Sequence, residues 1–355
     1  MHLFSLLLSI SFLVIGSVAC GIDRAPQFAP IPDSAKGIAI GPGGYGIESY
    51  GKGAYMVTEG NYQALFFVST KGVIVVDCPP TIGHMLLWAI GNVTSIPITH
   101  VVYSHSHADH IGGVTLFGSK VTTIAHFETA RYLTLTPDPN RPVPKITFKD
   151  SYTLCVGNQT LELDYKGENH LLGNIFIYAP VQKVLMLVDV IYPGWTPFAL
   201  LGQTKNVPGF IRSHYQVLEY DFKHYSGGHL GRSGSRKDVL TQLEYVLDLK
   251  SNCEYAINTS ATNDPDIGAA ALFGPVKAKN PGNGWAPFKV YLDTMADYCA
   301  NKTNVKWLGR LAAADVFQYV PTKLVISSFQ FFIASYELCL IPIPLYLGGS
   351  FANAS

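Results

Sequence analysis

Three histidines and an aspartate lie within six consecutive positions of the stretch SHSHADHIGG, residues 104–113. Imidazole nitrogens and carboxylate oxygens are ligands that zinc and similar borderline cations prefer. The stretch follows the apolar run THVVY, so His105 and His107 lie at the end of a predicted strand, where residues two apart point the same way. Asp109 and His110 lie where the chain turns and can serve a second cation nearby. The spacing therefore predicts a metal centre.

Three later residues are candidates for the remaining ligands, two of them in loops and one at the end of a predicted strand. His170 precedes the strand NIFIYAP, Asp189 ends the apolar run KVLMLVD, and His229 lies in the glycine-rich loop HYSGGHLGRSG. Each signal is weak when taken alone, because a loop histidine is commonly a surface residue and a strand-end aspartate commonly caps a turn. The order in which these three residues follow the first motif strengthens their assignment as metal ligands.

An H-x-H-x-D-H motif followed by a histidine, a strand-end aspartate and a last histidine resembles the metallo-β-lactamase superfamily over about residues 51–235. The resemblance implies an α/β fold, a four-layer αβ/βα sandwich with two mixed β-sheets and the site along one edge. It also implies two zinc ions per chain. One would be held by His105, His107 and His170, the second by Asp109, His110 and His229, and Asp189 would bridge them.

The implied function is a metal-dependent hydrolase that cleaves an ester, lactone, thioester or lactam. A metal-activated hydroxide would attack the carbonyl carbon, and Asp109 would orient it and relay its proton. Asp189 is typical of the glyoxalase II and lactonase branch, whereas the commonest zinc β-lactamases carry a cysteine there. Tyr192 matches a tyrosine that donates to the substrate oxygen in some lactonases. The alternative is an aromatic residue packed beside Pro193 and Trp195.

Two further residues match supporting positions of the superfamily. Asp77, at the end of GVIVVD, matches an aspartate that supports the metal loop, although it can equally be a strand-end turn former. His126 matches a histidine that is not a ligand. The remaining histidines past residue 80 are expected on the surface or in the core: His84, His100, His214 and His224.

Three other functions remain open: an iron-dependent persulfide dioxygenase with one metal, a phosphodiesterase, and a non-catalytic metal-binding module. The chain has neither a G-x-S-x-G elbow nor a C-x-x-C pair, so serine hydrolase and dithiol chemistry lack support. Basic and acidic residues number 25 each. This neutral balance argues against a nucleic-acid partner. The implied hydrolysis points to a small-molecule substrate.

The chain organisation indicates export. Residues 1–20 are typical of a secretory signal peptide, with a lipid anchor on Cys20 or a permanent membrane anchor as alternatives. Residues 21–50 are predicted to be an irregular lead-in and residues 51–318 the hydrolase domain. The apolar tail at 319–355 contains charged residues and prolines, so we expect it to be packed on the domain or poorly ordered rather than membrane-spanning.

Cysteines and glycosylation sequons agree with an extracellular location. Cys253 and Cys299 are predicted to form a disulfide, because both lie in the same C-terminal region. Cys78 and Cys155, at the ends of apolar runs, are expected to be buried free thiols. N-x-[ST] sequons, which glycans modify in secreted eukaryotic proteins, begin at Asn92, Asn158, Asn258, Asn301 and Asn353.

Overall fold

The computed structural model of this chain describes residues 26–317. The predicted signal peptide, the apolar tail at 319–355 and the sequon at Asn353 lie outside the described residues. Within residues 26–317, no helix combines the length and the apolar character needed to cross a bilayer.

The first half of the domain forms a seven-stranded mixed sheet in the order β1 to β7. Strands β1 to β4 pair antiparallel, and β4 to β7 pair parallel. The strands are β1 (Gly46–Gly51), β2 (Ala54–Thr58), β3 (Gln63–Val68), β4 (Val73–Val76), β5 (Ile98–Val102), β6 (Thr122–His126) and β7 (Ile146–Phe148). The prediction of an irregular lead-in up to residue 50 is wrong from Gly46 onwards, because this segment pairs with β2 as an edge strand.

The second half forms a five-stranded mixed sheet in the order β12-β11-β10-β9-β8. Its only parallel pair among these strands is β11 with β12. The strands are β8 (Ser151–Val156), β9 (Gln159–Asp164), β10 (Phe176–Ala179), β11 (Val184–Met186) and β12 (His224–Ser226). Both sheets are mixed, as the sequence resemblance predicted.

The helices are α1 (His84–Val93), α2 (Ala108–Ile111), α3 (Phe127–Leu135), the short turn α4 (Ala199–Gln203), α5 (Val207–Leu218), α6 (Arg236–Ser260), α7 (Ala269–Lys279) and α8 (Trp285–Trp307). Three apolar clusters separate four layers. One joins α1 and α3 to the outer face of the first sheet, one fills the space between the sheets, and one joins α5, α6 and α8 to the second sheet. The four-layer αβ/βα sandwich is therefore confirmed.

Alternation along the strands explains how one sheet contributes to two clusters. In β3, Leu65 and Phe67 face the second sheet, whereas Ala64 and Phe66 face the helices. Successive side chains of a strand point to opposite faces, so a strand covered on both sides must be apolar throughout. The wholly buried run VIVV of β4 meets this requirement.

Strand directions bring six chain segments to one edge of the sandwich, four of which carry the predicted ligands. The carboxyl ends of β4 and β5 coincide because these strands are parallel, and the β2–β3 turn lies at the same edge because β3 is antiparallel to β4. In the second sheet, the carboxyl ends of the parallel strands β11 and β12 meet the start of the antiparallel β10. The loops that carry the predicted ligands leave from these ends.

Cys253 of α6 and Cys299 of α8 form a disulfide with a Cα–Cα distance of 4.8 Å, which confirms the predicted pair. Cys78 is a buried free thiol, as expected, but Cys155 is exposed and the prediction for it is wrong. Cys155 lies on the edge strand β8, where Leu154 and Val156 take the inward-facing positions.

Four sequons lie within the described residues, and the asparagine of each is exposed: Asn92, Asn158, Asn258 and Asn301. Exposure is a requirement for modification by a glycan, and all four meet it. Whether any of them is modified stays a prediction.

Candidate metal centre

The loop after β5 carries the first four predicted ligands and is held firmly from behind. The buried Asp77 carboxylate accepts a hydrogen bond from the Ser104 backbone N–H at 2.8 Å, next to His105. The Cys78 N–H donates to the His110 carbonyl at 2.8 Å, and the Gly113 N–H donates to the Cys78 carbonyl at 2.9 Å. Asp77 therefore supports the loop that carries the first four candidate ligands, as the resemblance implied.

The loop that carries His170 is fixed by two buried asparagines. The Asn169 side-chain oxygen accepts from the His170 N–H at 2.6 Å and from the Asn174 amide at 2.9 Å. The other proton of that amide goes to the Val188 carbonyl at 2.8 Å, beside Asp189. This network joins the His170 loop to the segment after β11.

The loop that carries His229 rests on Gln63, the first residue of β3. The buried Gln63 amide nitrogen lies 2.9 Å from the His229 carbonyl and 2.8 Å from the Arg232 carbonyl. The Gln63 oxygen accepts from Ser226 Oγ at 2.8 Å. The first sheet thus holds a loop that belongs to the second sheet, across the edge where the site lies.

All seven predicted ligands meet at this edge in two groups, each able to hold a metal ion. The ligand atoms within each group lie within 4.8 Å of one another. The first group is His105, His107, His170 and Asp189, and the second is Asp109, His110 and His229.

Asp189 connects the two groups. Its Oδ2 lies 3.4 Å from His105 Nε2 and 3.3 Å from His170 Nε2, both in the first group. The same oxygen lies 3.2 Å from His110 Nε2, and Oδ1 lies 2.8 Å from His229 Nε2, both in the second group. One carboxylate therefore faces both groups, the position predicted for a bridging ligand.

The nitrogen atoms in the centre fit a cation. His105 Nε2 is buried and has no hydrogen-bond partner, while its Nδ1 lies 2.9 Å from Ser104 Oγ. His110 Nε2 and His229 Nε2 face each other at 3.1 Å, as do His170 Nε2 and His107 Nδ1. Lone pairs of neutral imidazoles that converge in this way repel unless a proton or a metal ion lies between them. The donor set suits zinc, because it combines imidazole nitrogens with carboxylate oxygens.

The metal-free electrostatics of the centre follow from burial and from Asp189. Burial lowers the pKa of His170 to about 4 and holds the pKa of His105 well below its ordinary value. Burial would also lower the pKa of His110, but Asp189 and then Asp109 raise it to about 9. For Asp189, burial acts to raise the pKa, and the surrounding histidines hold it well below the ordinary value.

The exposed fractions of the seven side chains divide the centre into a buried side and a side open to solvent. The side chains of His105, His110, His170 and Asp189 are 4% exposed or less, whereas those of His107, His229 and Asp109 are 29%, 17% and 42% exposed. The exposed members define the face from which a substrate can approach.

Tyr192 lies beside Asp189, with its hydroxyl 3.5 Å from Asp189 Oδ1, and it is only 3% exposed. Burial, followed by the charge of Asp189, raises the pKa of its hydroxyl well above the ordinary value. The phenol therefore stays protonated and can donate. The structure brings Tyr192 to the centre on its buried side.

The sequence reasoning missed Tyr62, which lies in the β2–β3 turn on the open side. Its ring centroid is 4.6 Å from that of His229 and 5.5 Å from that of His110. Burial, and then the charge of Asp109, raises the pKa of its hydroxyl to about 12. An aromatic residue in a hairpin turn was the only signal, and only the sheet order places this turn at the site.

A left-handed turn lines the centre next to Tyr192. Leu200, Leu201, Gly202 and Gln203 all have positive φ. The Gly202 N–H donates to the Phe198 carbonyl at 2.9 Å. A Cβ on Gly202 would lie 2.4 Å from the Tyr192 hydroxyl, so only glycine fits there.

The other histidines between residues 26 and 317 do not join the two groups. His126 Nε2 pairs with the Lys149 carbonyl, so it is not a ligand, as expected. His84 is exposed, His100 and His224 are half-buried, and His214 is buried. The expectation of surface or core positions is confirmed for these four.

A family model described as metallo-beta-lactamase superfamily matches residues 57–252, which contain all seven ligand candidates. The chain belongs to the metallo-β-lactamase superfamily. The resemblance deduced from the motif order is confirmed.

Relatives within the superfamily are distant. The 2,4-dinitroanisole O-demethylase subunit alpha of Nocardioides sp. (strain JS1661) is 24% identical over 202 residues, which cover 52% of this chain and 57% of that protein. Metallo-beta-lactamase IND-1 of Chryseobacterium indologenes is 25% identical over 136 residues, covering 38% and 56%. The chain spans just over half the length of these relatives. Among solved structures, a metallo-beta-lactamase from Pontibacter korlensis aligns with 19% identity and a TM-score of 0.49, covering 57% of this chain and 99% of that one.

Proposed function

We propose that this protein is a hydrolase that uses two zinc ions to cleave an ester, lactone, thioester or lactam. The observation that carries the proposal is the convergence of seven ligand side chains in two groups that share Asp189. A single metal site would not need a carboxylate that faces histidines on both sides.

His105, His107 and His170 would hold one ion, and Asp109, His110 and His229 the other. Bound dications of this kind lower the pKa of water and polarise a carbonyl group. Asp109 has the most exposed side chain of the seven and can take up a proton at its carboxylate. The Tyr62 and Tyr192 hydroxyls can each donate a hydrogen bond, from the open side and from the buried side respectively.

The experiment is metal analysis of the purified protein, followed by a substrate panel before and after metal removal and zinc reconstitution. Two zinc ions with hydrolysis support the proposal. One iron with persulfide oxidation indicates the dioxygenase, phosphodiester cleavage indicates a phosphodiesterase, and bound metal without turnover indicates a non-catalytic module. The panel should include an aryl methyl ether, because one relative is named for O-demethylation.

Variants assign the ligand roles. His107→Ala is expected to abolish hydrolysis in a folded protein, because the first ion would keep only two imidazoles and a carboxylate, Asp189, that it shares with the second ion. Asp189→Ala is expected to lose at least one metal and to slow turnover by orders of magnitude. His84→Ala, an exposed histidine outside both groups, is the matched control. Normal metal content and rate in Asp189→Ala would remove the bridge from the proposal.

We also propose that the protein is exported after cleavage near residue 20. The disulfide between Cys253 and Cys299 supports this, because cytosolic thiols are normally kept reduced. N-terminal sequencing of the cellular protein tests the proposal, and an intact Met1 would contradict it.

A further inference from the structure

A buried glutamine lies directly behind the segment that carries Asp189. Gln242 of α6 is 1% exposed. Its side-chain oxygen accepts from the Tyr192 backbone N–H at 2.7 Å, and its amide nitrogen donates to the Val190 carbonyl at 2.6 Å. One side chain therefore fixes the peptide groups on both sides of Ile191.

The second amide proton of Gln242 extends the network to α5. Gln242 Nε2 lies 3.0 Å from His214 Nε2, and His214 Nδ1 lies 2.9 Å from the Phe210 carbonyl. A carbonyl only accepts, so Nδ1 carries the proton and Nε2 must accept from the amide. The amide orientation is fixed likewise, because the Tyr192 N–H only donates and the Val190 carbonyl only accepts. Burial lowers the pKa of His214 to about 4, which keeps the ring neutral as this arrangement requires.

The backbone at Asp189 needs such a restraint. Asp189 has a φ of 63°, which lies in the left-handed region. This conformation is energetically unfavourable for any residue that has a Cβ atom. The Asp189 N–H donates to the Gly227 carbonyl at 3.1 Å, which fixes the backbone on the N-terminal side of Asp189. After Asp189, the bonds from Gln242 at Val190 and Tyr192 supply the matching restraint. A change of φ at Asp189 would turn its carboxylate away from the histidines.

We propose that Gln242, oriented by His214, is a positioning residue. It holds Asp189 in the backbone conformation in which the Asp189 carboxylate faces both groups of candidate ligands. The inference rests on the proposed function, because it assumes that Asp189 binds metal. It predicts that Gln242 sets metal affinity although it touches neither group.

The test compares Gln242→Met with a matched buried glutamine at the opposite edge. Gln159 is 2% exposed and makes the same number of bonds. It donates to the Lys52 and Val68 carbonyls, both at 2.8 Å, and accepts from Gln182 at 2.6 Å. Zinc affinity of metal-stripped protein is measured by chelator competition, and the visible spectrum of the cobalt form reports ligand geometry. We expect about 10- to 100-fold weaker zinc binding and an altered spectrum for Gln242→Met. Gln159→Met should remain within twofold of the wild type.

Variants of His214 test the relay and remain informative should Gln242→Met not fold. His214→Leu removes the acceptor of the Gln242 proton and is expected to weaken zinc binding. His214→Gln places an oxygen near the former Nε2 and is expected to restore it. In the Gln242→Met background, His214→Leu should have no further effect, because its influence passes through the amide.

The outcomes separate this inference from the function on which it rests. Wild-type protein that takes up no zinc overturns both. Wild-type protein that binds two zinc ions, with unchanged affinity in Gln242→Met, overturns the positioning role alone. Equal losses of affinity in Gln242→Met and Gln159→Met would indicate general destabilisation and also overturn it.

Discussion

Replacing Gly202 with alanine tests whether the left-handed turn packs against the metal centre. Gly202 has a φ of 68°, and a Cβ there would lie 2.4 Å from the Tyr192 hydroxyl and 3.0 Å from the Asp189 carbonyl oxygen. Left-handed backbone costs alanine about 1–2 kcal/mol. Overpacking adds about 1–3 kcal/mol, because the buried phenol has little room to move. We therefore expect Gly202→Ala to lower the free energy of unfolding by about 2–5 kcal/mol.

Urea denaturation of the metal-free protein measures this loss, with Gly282→Ala as the control. Gly282 has a similar φ of 78°, but a Cβ added there would meet no atom within 4 Å, so it reports the backbone cost alone. The Tyr192→Phe substitution removes the clashing oxygen and should recover part of the loss in the double variant. Zinc affinity should fall in Gly202→Ala only. Equal destabilisation by the two glycine substitutions, with no relief from Tyr192→Phe, would refute the packing argument.

Three further predictions concern the disulfide, the pH dependence of stability and the open side of the site. Cys299→Ser removes the disulfide that closes a loop of 46 positions from Cys253. Urea denaturation should therefore give a free energy of unfolding about 4 kcal/mol lower than that of the disulfide-bonded wild type. The pKa of His214 is about 4 in the folded protein against an ordinary 6.5, so between these pH values the unfolded chain binds a proton at His214 that the folded protein does not. Stability should fall by about 3 kcal/mol from pH 7 to pH 4 through this residue, and less in His214→Gln. Tyr62→Phe should reduce kcat about 10- to 100-fold with unchanged zinc content if its hydroxyl donates to Asp109 or to substrate; an unchanged kcat would exclude that role.

The convergence of the seven candidate ligands could be predicted from the sequence, because strand ends and the order of residues in the motif can both be read without the tertiary structure. His105, His107, Asp109 and His110 lie together within one short loop, so no knowledge of the tertiary structure is needed to group them. Asp77 could be predicted as well, since it ends an apolar strand directly before the loop that it supports.

Residues that act across the sandwich could not be predicted in the same way. Gln242 bonds to Tyr192 from 50 positions away in the chain, and Tyr62 meets His229 across 167 positions. No local pattern marks such contacts. The sequence ALLGQ also contains residues that commonly form right-handed helix, yet Leu200, Leu201 and Gly202 adopt left-handed backbone. The close approach of Gly202 to the Tyr192 hydroxyl requires glycine at that position, and no local pattern marks this contact.

The error at Cys155 has a similar origin. Cysteine is commonly buried, but β8 is an edge strand of the second sheet whose side chains alternate between core and solvent. Leu154 and Val156 take the inward positions, so Cys155 must point outwards. The strand register decides its burial, and the hydrophobicity of the residue does not.

Neutral amide side chains hold three of the four loops that carry candidate ligands, and the two zinc ions proposed above would give a reason for this choice. Asn174 braces the segments carrying His170 and Asp189, Gln63 braces the loop carrying His229, and Gln242 braces the chain after Asp189. An amide can donate to a carbonyl and accept from an N–H at once, and it adds no net charge. A buried ammonium in the same place would repel a dication, because Coulomb interactions are strong in a poorly solvated interior. The exception is Asp77, whose charge has the sign that a cation attracts, so a carboxylate is tolerated behind His105 where a lysine would not be.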